Sequence, residues 1–98
     1  KGKGITQDYK EAVKWYRLAA KQGYATAQNN LGVMYVMGKG VTQDYVRARM
    51  WFNLAASKGD ENAAESLEWM AKEMKPTQIT DAQMMAQDCE KKNYRSCK

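Results

Sequence analysis

Two cysteines, Cys89 and Cys97, stand in a chain of 98 residues that contains no His. That leaves too few soft ligands for a tetrahedral zinc site, and no imidazole base for a Ser-His or Cys-His nucleophile. Dithiol redox catalysis relies on the tight Cys-x-x-Cys geometry that lets a helix N-terminus depress a thiol pKa, and the Cys-x7-Cys spacing lacks it. Gly-Lys-Gly runs at residues 2–4 and 38–40 suggest phosphate cradling, yet neither continues as Gly-x-x-x-x-Gly-Lys-Ser/Thr. The acidic pairs Glu61/Glu65 and Glu65/Glu68 have helical spacing, which a solvated face explains without acid-base work. Lys10, Lys14, Arg17 and Lys21 fall at i, i+4, i+7 and i+11, a basic stripe able to attract phosphate or acidic peptide.

The scaffold that must hold these residues is written as a repetition. The segment GKGITQDYKEAVKWYRLAAKQG, residues 2–23, lies over GKGVTQDYVRARMWFNLAASKG, residues 38–59, at a shift of 36 residues. The same shift pairs Ala27 with Ala63, Leu31 with Leu67 and Met34 with Met70. This period belongs to helical solenoids, in which each unit is a helix pair that buries its apolar face only by stacking on the next. A single Pro among many Ala, Lys, Gln, Glu and Met is a helix-forming composition. With 44% hydrophobic and 28% charged residues the chain is a folded globular unit and not a disordered tail. No run approaches the ~18 apolar residues of a membrane span, and no span is expected. The opening Lys1-Gly2-Lys3-Gly4 has neither an initiator Met nor a signal-peptide pattern, and reads as the C-terminal part of something longer.

Within the unit, Tyr9, Ala12, Trp15/Tyr16 and Ala19/Ala20 recur at helical spacing, and Asp8 with Glu11 can satisfy first-turn donors, which predicts a helix over residues 8–22. Gly23 ends it in the left-handed conformation. Ala27, Leu31, Met34 and Tyr35 then mark a second helix over 25–37, broken by Gly38 and Gly40. Helices follow over 44–57 and 60–74. Pro76 stops the fourth, and a fifth is capped by Thr80 with Gln83, or by Thr77. Trp15, Trp51 and Tyr35 are assigned to packed seams, where Ala12, Ala19, Ala20, Ala27 and Gly32 admit close approach. The expected fold is all-α: a right-handed α-solenoid of stacked antiparallel helix pairs with a C-terminal capping helix.

A net charge of +5 favours anionic partners in general. The basic stripe, however, reads Val46, Met50, Asn53 and Ser57 one unit later. A nucleic-acid groove would continue across repeats, so the stripe is read as a solvated face and no nucleic-acid partner is expected. Residues 75–98 break the repeat register and are more polar, as a terminal cap should be. Aligning Ala82 with Ala12 and Met85 with Trp15 puts Cys89 opposite Ala19, Asn93 opposite Gly23 and Cys97 opposite Ala27. In that register the cysteines flank one turn at the ~5.5–6 Å Cα separation of a disulfide, with Asn93 left-handed between them. Two unrelated reduced thiols are the alternative.

The run LGVMYVMGKGVTQDYVRARMWFNLAASKGDENA is similar, almost position by position, to the Sel1-like repeat, a relative of the tetratricopeptide repeat, and the resemblance spans residues 2–74. In that family's frame the helix bearing Leu-Gly-x-Met-Tyr is helix A and the helix bearing Asp-Tyr-x-x-Ala is helix B. The resemblance therefore divides the chain into repeats over residues 1–74 (an orphan helix B, one full unit and a further helix A) and a cap over 75–98. It implies a concave surface lined by Thr26, Asn29, Asn30, Val33 and Met37 on one helix A and by Asn62, Glu65, Ser66, Trp69, Lys72 and Glu73 on the next. Asn amides can pair with peptide backbone while Val33, Met37 and Trp69 offer apolar contact, which suits a segment of another protein better than a small reactive substrate. For Trp69 the competing assignment is packing under the cap helix. The Cys-x7-Cys spacing also resembles the bridge of the cysteine-rich branch of the family, whose alignment moves Cys89 to the Ala20 position. Such a bridge implies an extracytoplasmic, periplasmic or secreted setting in a bacterium.

These features read as a non-catalytic protein–protein interaction scaffold with no metal and no cofactor. The alternatives are cell-wall or β-lactam-related binding or hydrolysis, as the cysteine-rich relatives suggest, and a purely structural spacer. The Ser-x-x-Lys, Ser-Asp-Asn and Lys-Thr-Gly motifs of penicillin-recognising enzymes do not occur in the sequence. The orphan first helix leaves the side around Val13, Trp15 and Tyr16 short of cover, which favours self-association of the fragment.

Overall fold

Apolar residues recurring every three or four positions give five helices among the described residues: α1 (Ile5–Ala20), α2 (Ala25–Met37), α3 (Tyr45–Ser57), α4 (Glu61–Glu73) and α5 (Pro76–Lys91). The computed structural model describes residues 5–94 and Cys97, with side chains from Asp8 onward, so the Gly-Lys-Gly run at residues 2–4 lies outside it. The fold is all-helical, as the repeat predicts. The start of α3 is fixed by Asp44, whose Oδ1 accepts from the Arg47 N–H at 3.0 Å, and that of α4 by Asp60, whose Oδ1 accepts from the Ala63 N–H at 2.9 Å. The first helix begins at Ile5, ahead of the expected Asp8, which sits inside its first turn.

The fifth helix corrects the expected caps. Neither Thr80 nor Thr77 starts it. It begins at Pro76, because proline lacks only an N–H that the first helical position does not need, and the Lys75 N–H just before it donates to Gln78 Oε1 at 2.9 Å. The Thr80 hydroxyl donates instead to the Pro76 carbonyl at 3.1 Å.

The repeat is visible in the turns. Gly23 (φ 92°) and Gly59 (φ 94°) both adopt the left-handed region. Around the first, Gly23 N–H donates to Ala20 O at 3.0 Å and Tyr24 N–H to Ala19 O at 3.3 Å. Around the second, Gly59 N–H donates to Ala56 O at 2.9 Å and Asp60 N–H to Ala55 O at 3.2 Å. The end of α5 has the same pattern: Asn93 (φ 53°) donates to Glu90 O at 3.1 Å and Tyr94 to Cys89 O at 2.7 Å. Cys89 thus takes the place of Ala19, not that of Ala20, and the register left open by the sequence is decided. Tyr94 is left-handed as well (φ 66°), and its ring packs against the Gly23 turn, with Lys58 Nζ 5.0 Å from the ring centroid. The C-terminal ends of α1, α3 and α5 therefore meet at one end of the molecule.

The core is centred on α3, which packs against α2, α4 and α5, while α1 packs against α2. Met50, Trp51, Phe52, Leu54 and Ala55 of α3 are all fully buried. Gly32 of α2 lets the Phe52 ring lie flush against the α2 backbone. Arg49 is buried too; its Nη1 donates to the Leu67 carbonyl at 3.3 Å, and burial pushes its guanidinium below the ordinary arginine value. Trp15 departs from its assignment to a packed seam. Its repeat counterpart Trp51 is 0% exposed, whereas Trp15 is 58% exposed, because among the described residues no helix lies against that side of α1. Val13, expected to be short of cover, is buried, and Tyr16 is half-buried.

Candidate functional site

A groove of about 390 Å³ runs between α2 and α4 over a floor supplied by α3. Asn29, Val33 and Val36 enter it from α2 at i, i+4 and i+7, one stripe of that helix. From α4 come Asn62, Glu65, Ser66 and Trp69, at i, i+3, i+4 and i+7, and Phe52 of α3 lies between the two stripes. The lining is thus apolar along Val33, Val36, Phe52 and Trp69, polar at Asn29, Asn62 and Ser66, and acidic at Glu65.

Asn29 is the most constrained of these groups. It is 9% exposed, and its Oδ1 has no hydrogen-bond partner among the described residues. A buried amide oxygen without a partner costs roughly 1–3 kcal/mol, which a donor brought by a ligand would offset. Trp69 meets Tyr45 of α3 edge-on, with ring centroids 6.0 Å apart at 66°, and it remains exposed on the groove side. The Ser66 hydroxyl donates to the Asn62 carbonyl at 3.1 Å, which turns its lone pairs outward.

Of the residues expected on the concave face, the groove gathers Asn29, Val33, Asn62, Glu65, Ser66 and Trp69. Asn30 is half-buried and outside the lining: one residue on from Asn29, it points about 100° away around the helix. Thr26, Met37, Lys72 and Glu73 are exposed and also outside it. Val36 and Phe52 were missed. Val36 was discoverable as the i+7 partner of Asn29, whereas Phe52 lies on α3, a helix not expected to reach the concave face.

Elsewhere, Cys89 and Cys97 are paired at disulfide distance, their Cα atoms 5.0 Å apart, and both are buried. A pair of this kind is compatible with an extracytoplasmic location. Among the described residues no cluster of His, Cys, Asp and Glu is arranged to hold a metal ion, and no helix is long and apolar enough to cross a membrane.

The helix-pair geometry and the spacing of its turns coincide with a known pattern: the Sel1 repeat model matches residues 1–24 and 25–60. The chain belongs to the Sel1 repeat family. The second match contains α2 and α3, and α1 falls in the first match. No curated protein matches the chain closely enough to add a named relative. Sel1 repeats are generally protein-interaction modules, typically without catalytic activity, and protein partners are the class of ligand this membership suggests.

Proposed function

We propose that this Sel1 chain is a non-catalytic scaffold that holds an extended segment of a partner protein in the groove between α2 and α4. In this reading residues 1–74 supply the repeat surface, and residues 75–98 close the stack as a cap stapled by Cys89 and Cys97, in an extracytoplasmic compartment. The carrying observation is Asn29: a nine-tenths buried amide with an unpartnered oxygen, set among Val33, Val36 and Phe52. An extended peptide repeats a backbone donor and an acceptor at every residue, which is the complement an Asn amide needs, while its side chains have Trp69 and Val33 to rest on. The Ser66 hydroxyl in the groove donates to the Asn62 carbonyl, and the chain has no His to act as its base.

The test is selection of peptides from a displayed random library on the intact chain, followed by titration calorimetry of the winners. Asn29→Ala and Trp69→Ala should each weaken binding by about tenfold or more with helicity retained, since truncating a central anchor costs ~2 kcal/mol. Lys14→Glu should leave these affinities unchanged at physiological salt. Winners that ignore both groove substitutions would move the site elsewhere.

A further inference from the structure

The internal repeat allows one face of this protein to be compared with its own copy. On α3, the face carrying Met50, Leu54 and Ser57 is covered by α5, whose Gln83, Ala86, Gln87 and Glu90 line the seam with Asn53, Leu54 and Ser57. One repeat earlier, the same face of α1 carries Lys14, Leu18 and Lys21. Leu54 is 1% exposed beneath α5, but Leu18 is 52% exposed. Instead of a covering helix, α1 has beside it an open groove of about 330 Å³, floored by Val13, Leu18 and Val41 and rimmed by Lys10, Lys14 and Lys21.

The difference has a local cause. After α4 the chain passes directly into α5 at Pro76, which is the repeat counterpart of Gly40. After α2 it first makes the loop through Gly38 and Gly40, whose left-handed residues carry it past α1 before α3 begins at Tyr45. Gly40 seats this loop against the Tyr9 carbonyl, where a Cβ would lie 2.6 Å from the oxygen. The α1 face is therefore a helix-packing surface that no helix among the described residues covers.

We propose that this groove docks an amphipathic helix of a partner protein whose flanks are acidic. The α5–α3 seam, which Ala86 of α5 lines, supplies the template for helix-on-helix packing through a small residue. The charge supplies the selectivity. Where α3 carries Val46, Met50 and Ser57, α1 carries Lys10, Lys14 and Lys21, which are exposed and form none of the ion pairs found among the described residues. Of its seam residues a helix identical to α5 would bring only the carboxylate of Glu90 to those ammonium groups, whereas Asp or Glu at the positions of Gln83 and Gln87 would add two more. Arg17 bonds to the Tyr35 hydroxyl at 3.2 Å and is not counted in the rim. This site lies apart from the α2–α4 groove and stands independently of the function proposed for it.

The probe is a fluorescein-labelled peptide of the α5 sequence, Pro76–Lys91, carrying Gln83→Glu, Gln87→Glu and Cys89→Ala, titrated with the intact chain by anisotropy. Saturable binding is expected, weakened by about tenfold or more by Lys14→Glu with Lys21→Glu. It should be regained on that variant by a peptide carrying Gln83→Lys and Gln87→Lys instead. Leu18→Ala should weaken it at every salt concentration, and Trp69→Ala should not affect it. Absence of binding overturns the proposal, as does indifference to the charge reversal. Equal binding of a probe broken by Ala86→Pro, or uptake by phosphatidylglycerol vesicles in place of the peptide, would make the groove a general anion site and overturn it too.

Discussion

Gly32→Ala is the substitution in which local and tertiary preferences oppose each other most directly. Gly32 lies in the middle of α2, where Ala is ordinarily favoured by about 1 kcal/mol. A Cβ at this position would stand 2.6 Å from Phe52 Cε1, 2.8 Å from Cδ1 and 3.0 Å from Cζ. Carbon atoms pack best at ~3.5–4.0 Å, so the ring or the helix must retreat by roughly 1 Å. Phe52 is 1% exposed and its ring lies against the α2 backbone, so the retreat must push the ring toward the α2–α4 groove or part the two helices. Overpacking of this kind costs ~1–3 kcal/mol, and a rigid ring met from three atoms belongs in the upper half of that range. After the helix-propensity gain, the net loss is about 1–2 kcal/mol, or a fall in Tm of roughly 4–16 °C for a domain of this size. Denaturant titration followed by circular dichroism measures it. Adding Phe52→Leu should recover part of the loss, with a coupling of at least ~0.5 kcal/mol in a double-mutant cycle. A midpoint that stays level or rises in Gly32→Ala would show that propensity wins and that α2 and α3 do not approach as closely as described.

Gly59→Val should cost about 1–2 kcal/mol through its left-handed backbone alone, because nothing stands within 4 Å of the added Cβ, while Gly23→Val should cost more, since its Cβ also meets the Tyr94 ring at 3.1 Å. Equal denaturation midpoints for the two variants would remove Tyr94 from that contact. Intact-mass analysis of the non-reduced chain should show two hydrogens fewer than the reduced form and no alkylation of Cys89 or Cys97; two alkylated thiols would refute the bridge and weaken the extracytoplasmic assignment. Light scattering should show concentration-dependent association of this chain, reduced by Trp15→Glu, which places a charge on the exposed side of α1; a strictly monomeric chain would show that this side needs no cover.

What the sequence determined by itself was everything set by local spacing. The 36-residue repeat and its apolar periodicity placed α1 to α4 and assigned left-handed turns to Gly23, Gly59 and Asn93, because these features depend only on residues a few positions apart. The same reasoning failed at α5, where Pro76 reads equally well as a stop and as a first helical residue. Tertiary structure decided which face meets which neighbour. Trp15 and Trp51 occupy the same repeat position with the same local pattern, yet one is exposed and the other buried, because burial depends on whether a helix distant in sequence arrives to cover the site. Asn29 and Asn30 are adjacent and alike in type, and only the placement of α4 across α2 puts the first in the groove and leaves the second outside. Phe52, on a helix not expected at the concave face, forms part of the groove floor for the same reason: a groove is made between helices, and no single helix encodes its other wall.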